Sequence, residues 1–301
     1  MMSKSQFKCL VDQQKKSGSI GIVGLGLIGG SLGLELQSLG WKIHGLVHRS
    51  TTLERAKERG LANLVSTNPE ILRDCEVVFI ALPLDKILHP TDQLINSLPP
   101  NAVVTDVGSV KSPIVQTWQK LHPRFIGSHP MAGTTEAGVN AGRLGLFHQR
   151  PWVATPNSKT DIAAIEIIRD ISTSIGSKWI TTNAKQHDEA VALISHLPVF
   201  ISAALLKTLG NVENQTIKDL AKVLASSGFA DTSRVGGGNP SLGRAMVENN
   251  STEILKALSA YRRSLEKVEE TILSKSWDQV EKDLEDTKIL RASFIKRKEI
   301  T

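Results

Sequence analysis

The sequence has almost no cysteine and almost no tyrosine, two of the first and one of the second in 301 residues. Two thiols, Cys9 and Cys75, are too few for a disulfide framework or a thiolate metal site, so a reducing compartment is expected and both read as inert. Aromatic residues make up only 4% of the chain, which removes the stacking platforms that nucleic-acid binding needs. No apolar stretch of signal-peptide length opens the chain, and none of about eighteen residues follows, so neither a leader nor a membrane span is expected and the protein reads as cytoplasmic. Acidic residues are outnumbered, giving a formal charge of +6, part of it at the ends in Lys4, Lys8, Lys15 and Lys16 and in Lys296, Arg297 and Lys298. That balance fits a carboxylated or phosphorylated small ligand, and no nucleic-acid partner is expected. The histidines show no metal-ligand spacing, so no metal is expected either.

What is present is an ordinary globular composition, 40% hydrophobic and 22% charged, with material for a sizeable core. Single cores stop growing at roughly 250–300 residues, so two domains are expected. Ile20 to Val23 run into Gly24-Leu25-Gly26-Leu27-Ile28-Gly29, a helical stretch closes at Gly40, and a second apolar strand, Trp41 to Val47, follows at once. Further buried-strand candidates are Val77–Ala81, Ala102–Asp106, Arg124–Gly127, Trp152–Ala154 and Lys178–Thr181, with helical segments such as Asp161–Ser174 between them. The alternation predicts an α/β Rossmann domain with a doubly wound, mostly parallel sheet. From about Asn183 the strand signals stop, which divides the chain into an extension at 1–17, a nucleotide-binding domain at 18–183 and an all-α domain at 184–301.

In the helical half, Ile254, Leu258, Tyr261, Leu265, Val268 and Ile272 fall on one helical face, and Ser276 with Gln279 reads as a capping box opening a last helix. A stripe on helices this long calls for a partner helix, and a homodimer is expected.

A lone GxGxxG is a weak signal, but here strand and helix flank it in the required order. Gly24 permits the tight turn, Gly26 lets backbone approach a pyrophosphate, and Gly29 packs helix on strand, with the phosphates on the N-terminal amides around Leu27 and Ile28. The end of the second strand then decides the cofactor. An NAD enzyme places an acid there, roughly twenty positions past the glycines, whereas this chain has His48-Arg49-Ser50-Thr51. A guanidinium and two hydroxyls suit a 2′-phosphate that a carboxylate would repel, so NADP is expected.

Three more segments stand out. Asp106-Val107-Gly108-Ser109-Val110-Lys111 and Gly127-Ser128-His129-Pro130-Met131-Ala132-Gly133 follow strands, at the strand ends where open α/β sheets bind ligands, and Ser195-His196-Leu197-Pro198 lies in the first C-terminal helix. A fourth, Gly228 to Pro240, combines Arg234 with four glycines and reads as a loop facing a ligand.

Through GLGLIGGSLG, DVGSVK, SHPMAGT, SHLP and GFADTSRVGGGNP, in that order, the sequence resembles the prephenate/arogenate dehydrogenase family of tyrosine biosynthesis over residues 20 to about 270. SSGFADTSRVGGGNP is most similar to the cyanobacterial-type arogenate enzymes, which use NADP. The resemblance implies oxidation of a ring C4 hydroxyl, hydride transfer to a nicotinamide, and loss of the ring carboxylate as CO₂ while the ring becomes aromatic. It implies His129 as general base, an imidazole whose ordinary pKa lies near operating pH, and Ser109 as the hydroxyl beside substrate and base. Arg234 would grip a substrate carboxylate, with His196 and Thr134 lining the same pocket.

His187 stands nine positions before His196, which is not a same-face spacing, and remains a weaker candidate. A β-hydroxyacid dehydrogenase would share the architecture, but its glycine-flanked lysine base is not found, and an imino-acid reductase would not call for HPMAG. A nucleotide sensor would need no base. Arogenate and prephenate stay open, since Glu136, Thr135 or a backbone carbonyl would each serve an ammonium group.

Overall fold

The computed structural model describes residues 18–134 and 136–295. The segment 1–17 with Cys9, the basic C-terminal residues Lys296, Arg297 and Lys298, and Thr135 lie outside the described residues.

Six parallel strands form the main sheet: Ser19–Val23 (β1), Lys42–Leu46 (β2), Leu64–Ser66 (β3), Cys75–Ile80 (β4), Val103–Asp106 (β5) and Phe125–Ile126 (β6). Their order is β3-β2-β1-β4-β5-β6, the doubly wound order whose direction reverses beside β1. Alternate residues of β4 show how the two faces fill. Val77 and Phe79 join Ile20, Ile22, Leu32, Leu36, Ile43 and Ile168 in one core, while Val78 and Ile80 join Val104, Ile114, Val115 and Trp118 in the other. The first core is covered by Leu27–Ser38 (α1) and Ile162–Ser174 (α6). The second is covered by Leu84–Leu88 (α3), Asp92–Ser97 (α4) and Ser112–Leu121 (α5), while Ser50–Glu58 (α2) crosses from β2 to β3 and buries Ala56 in the first core.

The two last predicted strands are not in this sheet. Pro151–Ala154 (β8) pairs antiparallel with Ser128–Pro130 (β7) and parallel with Lys178–Thr181 (β9), making a separate three-stranded sheet. The cause lies at Gly127, where a main strand of only two residues ends and the Gly127 carbonyl accepts the Thr155 amide, so that the chain is handed to the second sheet. An apolar run states that a strand is buried, not which sheet it joins.

The segment from Gly138 to Leu146 between β7 and β8 has no regular structure and is bolted to the helices around the glycine turn. Arg59, at the end of α2, donates to Val139 O (2.6 Å) and Gly142 O (2.7 Å), and Arg55 donates to Asn140 Oδ1 (2.6 Å). The Arg143 amide donates to Ser31 Oγ of α1 at 2.9 Å, and Glu35 accepts from the Gly145 amide.

Beyond β9 the chain is helical. Ala184–Val191 (α7) is capped by Asn183 accepting the Gln186 amide at 2.8 Å, and a π-turn at Ala192–His196 leads into Leu197–Gly210 (α8). Gln215–Leu224 (α9), Ser227–Ser233 (α10), Pro240–Leu273 (α11) and Trp277–Phe294 (α12) follow. Counted through the π-turn, the run Ala184–Gly210 is long and apolar enough by length and composition to cross a membrane, against the expectation that no such stretch occurs. His187, Asp188 and His196 are buried in the folded unit.

The chain divides into two compact units, one running to Ser251 and one from Thr252. In the second, the predicted stripe grades from a buried Ile254 through half-buried Leu258 and Tyr261 to Leu265, Val268 and Ile272, each about half exposed (50%, 54% and 51%). The last helix opens at Ser276 as expected, but without the capping-box bonds: the Ser276 hydroxyl pairs with Ser274 Oγ at 3.0 Å, and Gln279 turns to Asp283.

Candidate active site

The glycine turn joins β1 to α1. Gly24 has φ +94°, and a Cβ there would stand 2.5 Å from the Ala81 carbonyl, while a Cβ on Gly29 would stand 1.8 Å from the Gly24 carbonyl. Both glycines are therefore required by the turn itself. Gly26 differs, because a Cβ there would meet no protein atom within 4 Å. It is the N-cap of α1, no side chain caps that terminus, and the amides of Leu27, Ile28 and Gly29 open the helix without an acidic residue in its first turn. An uncapped terminus with open space before it is what a pyrophosphate requires.

At the end of β2, His48, Arg49, Ser50 and Thr51 are all exposed, with Arg49 as N-cap of α2. The Arg49 guanidinium has no ion-pair or hydrogen-bond partner among the described residues, and no carboxylate occupies the position where an NAD enzyme carries one.

The candidate catalytic groups lie beyond the C-terminal ends of β5 and β6. His129 sits half-buried in β7 with its Nδ1 2.9 Å from His187 Nε2, and His187 Nδ1 lies 2.8 Å from Asp188 Oδ1. Asp188 is anchored at the other side by the N-terminus of α5, its two oxygens accepting the amides of Lys111 and Ser112 at 2.7 Å each. Burial alone would push the Asp188 carboxyl up, but the bonds from His187, Ser112 and Lys111 hold it below the ordinary carboxylate value. Asp188 is thus an anion, and an anion beside His187 Nδ1 puts the His187 proton on that nitrogen. In the neutral ring, His187 Nε2 then carries a lone pair and accepts from His129 Nδ1–H. The consequence is a free lone pair on His129 Nε2.

Burial first, and then the nearness of His187, Lys111 and His196, hold the His129 imidazole well below the usual histidine range. It is neutral at neutral pH, further from charging than its ordinary pKa implies.

Beneath this chain lies a fully buried ion pair of Lys111 and Asp106. Burial pushes the Asp106 carboxyl up and the Lys111 ammonium down, each against the attraction of the other. Asp106 also accepts the amides of Gly108 (2.8 Å) and Ser128 (3.2 Å), and Lys111 Nζ donates to Ser128 O at 2.7 Å. One pair therefore fixes both the turn that carries Ser109 and the residue before His129.

His196 ends the π-turn, fully buried, with Asn250 Nδ2 3.3 Å from its Nδ1. In a regular helix, positions nine apart point in opposite directions. Pro198, without an N–H for the carbonyl four residues back, forces the helix to widen, and the Leu197 amide bonds Ala192 O five residues back instead. The wider turn reduces the phase difference and brings His187 and His196 to one site. Burial drives the His196 imidazole down to about 4, with Asp188 opposing and His187 adding to the shift.

The remaining predicted residues do not share hydrogen bonds with this network. Ser109 is half-buried in the turn before α5 with its hydroxyl unpartnered among the described residues. Thr134 is exposed, and its hydroxyl accepts the Glu136 amide at 3.2 Å in a local turn. The segment around Arg234 is not the expected loop but the end of α10 followed by a 3₁₀ turn, Arg234–Gly237, held on α8 by Ser202 Oγ, which accepts the Gly236 amide (2.8 Å) and donates to Thr232 O (2.8 Å). Arg234 itself is exposed and makes no ion pair among the described residues. Asp188, Lys111, Asp106 and Asn250 were not singled out in the sequence as site residues, although Asp188 directly follows a histidine and Asp106 and Lys111 bracket a quoted motif.

Known proteins match both halves of this arrangement. A family profile described as "Prephenate dehydrogenase, nucleotide-binding domain" matches residues 32–181, and one described as "Prephenate dehydrogenase, dimerization domain" matches residues 183–286. Synechocystis arogenate dehydrogenase is 39% identical in its crystal structure, with a TM-score of 0.81 over 92% of this chain and 100% of that one. Prephenate dehydrogenase from A. aeolicus, in complex with hydroxyphenyl propionate and NAD+, is 26% identical with a TM-score of 0.87 over 94% of this chain and 100% of that one. The prephenate dehydrogenase of Bacillus subtilis is 28% identical over 254 residues, 82% of this chain and 68% of the relative. With a matching profile on each half, this chain belongs to the prephenate/arogenate dehydrogenases, oxidoreductases of aromatic amino acid biosynthesis that work with a nicotinamide dinucleotide.

Proposed function

We propose that the protein converts arogenate to tyrosine by oxidative decarboxylation with NADP, acting as a cytoplasmic homodimer. The observation that carries the chemistry is the 2.9 Å contact of His129 with His187, which leaves the His129 Nε2 lone pair free to take the ring hydroxyl proton. As that proton arrives, His187 still accepts from His129 Nδ1–H, and Asp188 behind it offsets the new positive charge. A bound nicotinamide would supply the acceptor for the hydride that ring C4 gives up. The C–C bond to the ring carboxylate then breaks, CO₂ leaves, its electron pair completes the aromatic ring as a phenolate, and His129 returns the proton to the phenolate oxygen. Ser109 positions the ring hydroxyl, Arg234 pairs with a substrate carboxylate, His196 donates to a substrate oxygen, and Thr134 closes the substrate side.

NADP over NAD is supported by Arg49, which makes no ion pair among the described residues, beside Ser50 and Thr51, and by the missing carboxylate at the end of β2. Arogenate is supported by the 39% identity to the Synechocystis enzyme. Prephenate is the second reading, favoured by the names of the A. aeolicus and Bacillus subtilis relatives. The half-exposed stripe of Leu265, Val268 and Ile272, in a segment matched by a dimerization-domain profile, supports the homodimer. The test is initial rates with arogenate and prephenate, each with NADP and NAD. The highest kcat/KM is expected for arogenate with NADP, and a preference for prephenate or NAD would replace the corresponding half of the reading.

A further inference from the structure

Asn250 is the one residue with non-helical dihedrals inside the 34-residue α11, at φ −137° and ψ 29°, and it is 6% exposed. A break in a long helix costs a main-chain hydrogen bond, and here it turns a side-chain amide inward. Asn250 Nδ2 lies 2.9 Å from the Asp188 carbonyl oxygen and 3.3 Å from His196 Nδ1. A carbonyl oxygen can only accept, so the nitrogen end of the amide must face this corner. An NH₂ group can only donate, so His196 Nδ1 must hold a lone pair. The imidazole proton is left on Nε2, a fully buried atom with no hydrogen-bond partner among the described residues.

We infer that Asn250 is a positioning residue that fixes the His196 tautomer, so that His196 presents an N–H donor, and neither a lone pair nor a charge, to an oxygen acceptor of the ligand. The tautomer rests on geometry alone. Only the identity of the acceptor, a carboxylate, keto or hydroxyl oxygen of the substrate, rests on the dehydrogenase reading. The groups around His196 agree with a neutral ring. Asp188 and His187 face it from α7, His129 from β7 and Asn250 from α11; among them Asp188 alone favours the charged form, and burial outweighs it, leaving the ring at about 4. A buried donor without a partner is costly unless a ligand supplies one, and it rejects a ligand that lacks the acceptor.

The experiment is long-range ¹H–¹⁵N NMR of histidine-labelled protein, with the His196 signals assigned from a His196→Gln sample. At neutral pH the expected spectrum shows His196 neutral with its proton on Nε2, and prephenate added without cofactor shifts that N–H. Asn250→Asp, nearly isosteric, replaces the donor with an acceptor. It is expected to move the proton to Nδ1, raise the pH at which His196 charges, and lower kcat/KM by about tenfold or more with the NADP Kd unchanged. A wild-type His196 carrying its proton on Nδ1, or signals that do not respond to Asn250→Asp, overturns the inference. Failure of the wild-type enzyme to turn over either substrate overturns the dehydrogenase reading instead and leaves the tautomer assignment standing.

Discussion

His129 and His187 meet nitrogen to nitrogen at 2.9 Å, and the direction of that hydrogen bond is decided two groups away, where Asp188 accepts from His187. Two histidines in contact have no intrinsic polarity. The N-terminus of α5, by holding an anion at one end, gives the pair its sense and leaves the His129 Nε2 lone pair outside it.

The first prediction is the pH profile. Because burial and nearby positive charge lower the His129 pKa, the base is unprotonated down to pH values well under 6.5. kcat/KM is expected to rise with pH through that lowered value and to be flat from about pH 6.5 upward as far as this group is concerned. His129→Asn should remove the acid limb and lower kcat by about 10²–10⁴-fold. A limb centred at or above the ordinary histidine value would show that the base is not the His129 imidazole.

Asp188→Asn tests the polarity of the pair. An amide has one acceptor oxygen for three donors, the His187 ring and the amides of Lys111 and Ser112, so His187 loses its fixed tautomer. A kcat loss of about 10²–10⁴-fold is expected, with NADP affinity retained. Stopped-flow rates near wild type would mean that the Asp188 charge plays no part.

Removing Lys111 should be felt in stability before activity. Lys111→Met leaves Asp106 fully buried without its partner, a loss typically of about 3–5 kcal/mol, read as a lower urea midpoint in cofactor-free protein. The same variant takes a positive charge from beside His129, so any surviving activity should show its acid limb at higher pH. An unchanged midpoint would contradict the buried pair.

Arg49→Ala combined with Ser50→Asp is expected to weaken NADP relative to NAD by about 1–3 kcal/mol, the worth of charge-assisted bonds to a 2′-phosphate. The ratio of the two kcat/KM values reports this directly, and equal losses for both cofactors would move recognition elsewhere.

The exposed stripe predicts its own test. Leu265→Glu with Val268→Glu places charge on residues that are 50% and 54% exposed in the single chain, so the fold should tolerate it. Light scattering should find a dimer for the wild type and a monomer for the variant; two dimers would assign the contact to another face.

The parts of this molecule that follow local rules could be read from the sequence. The glycine turn, the β1-α1-β2 unit, the switch to helices after Asn183 and the placement of His129 at a strand end all depend on neighbours in sequence. What could not be read depends on contacts between distant segments. His187 looked out of phase with His196 because a regular helix was assumed, and only the π-turn before Pro198 brings them together. Asp188 meets α5 from 76 positions away, and Asn250 meets it from 62 away, distances across which periodicity carries no information. The lowered His129 pKa is a property of that assembled surround, so the residue type alone pointed to a higher value.

The tether between α2 and the segment from Gly138 to Leu146 bears on protein engineering. Arg55 and Arg59 lie on the helix that Arg49 and Ser50 open, and they hold Val139, Asn140 and Gly142, ten to thirteen residues beyond His129. A chimera that imports a foreign β1-α1-β2-α2 block to change coenzyme would sever these bonds, and a residue larger than glycine arriving at position 30 would set its Cβ 3.4 Å from the Gly142 Cα. The natural crossover unit is therefore discontinuous in sequence: the coenzyme block and the 138–146 segment must be exchanged together.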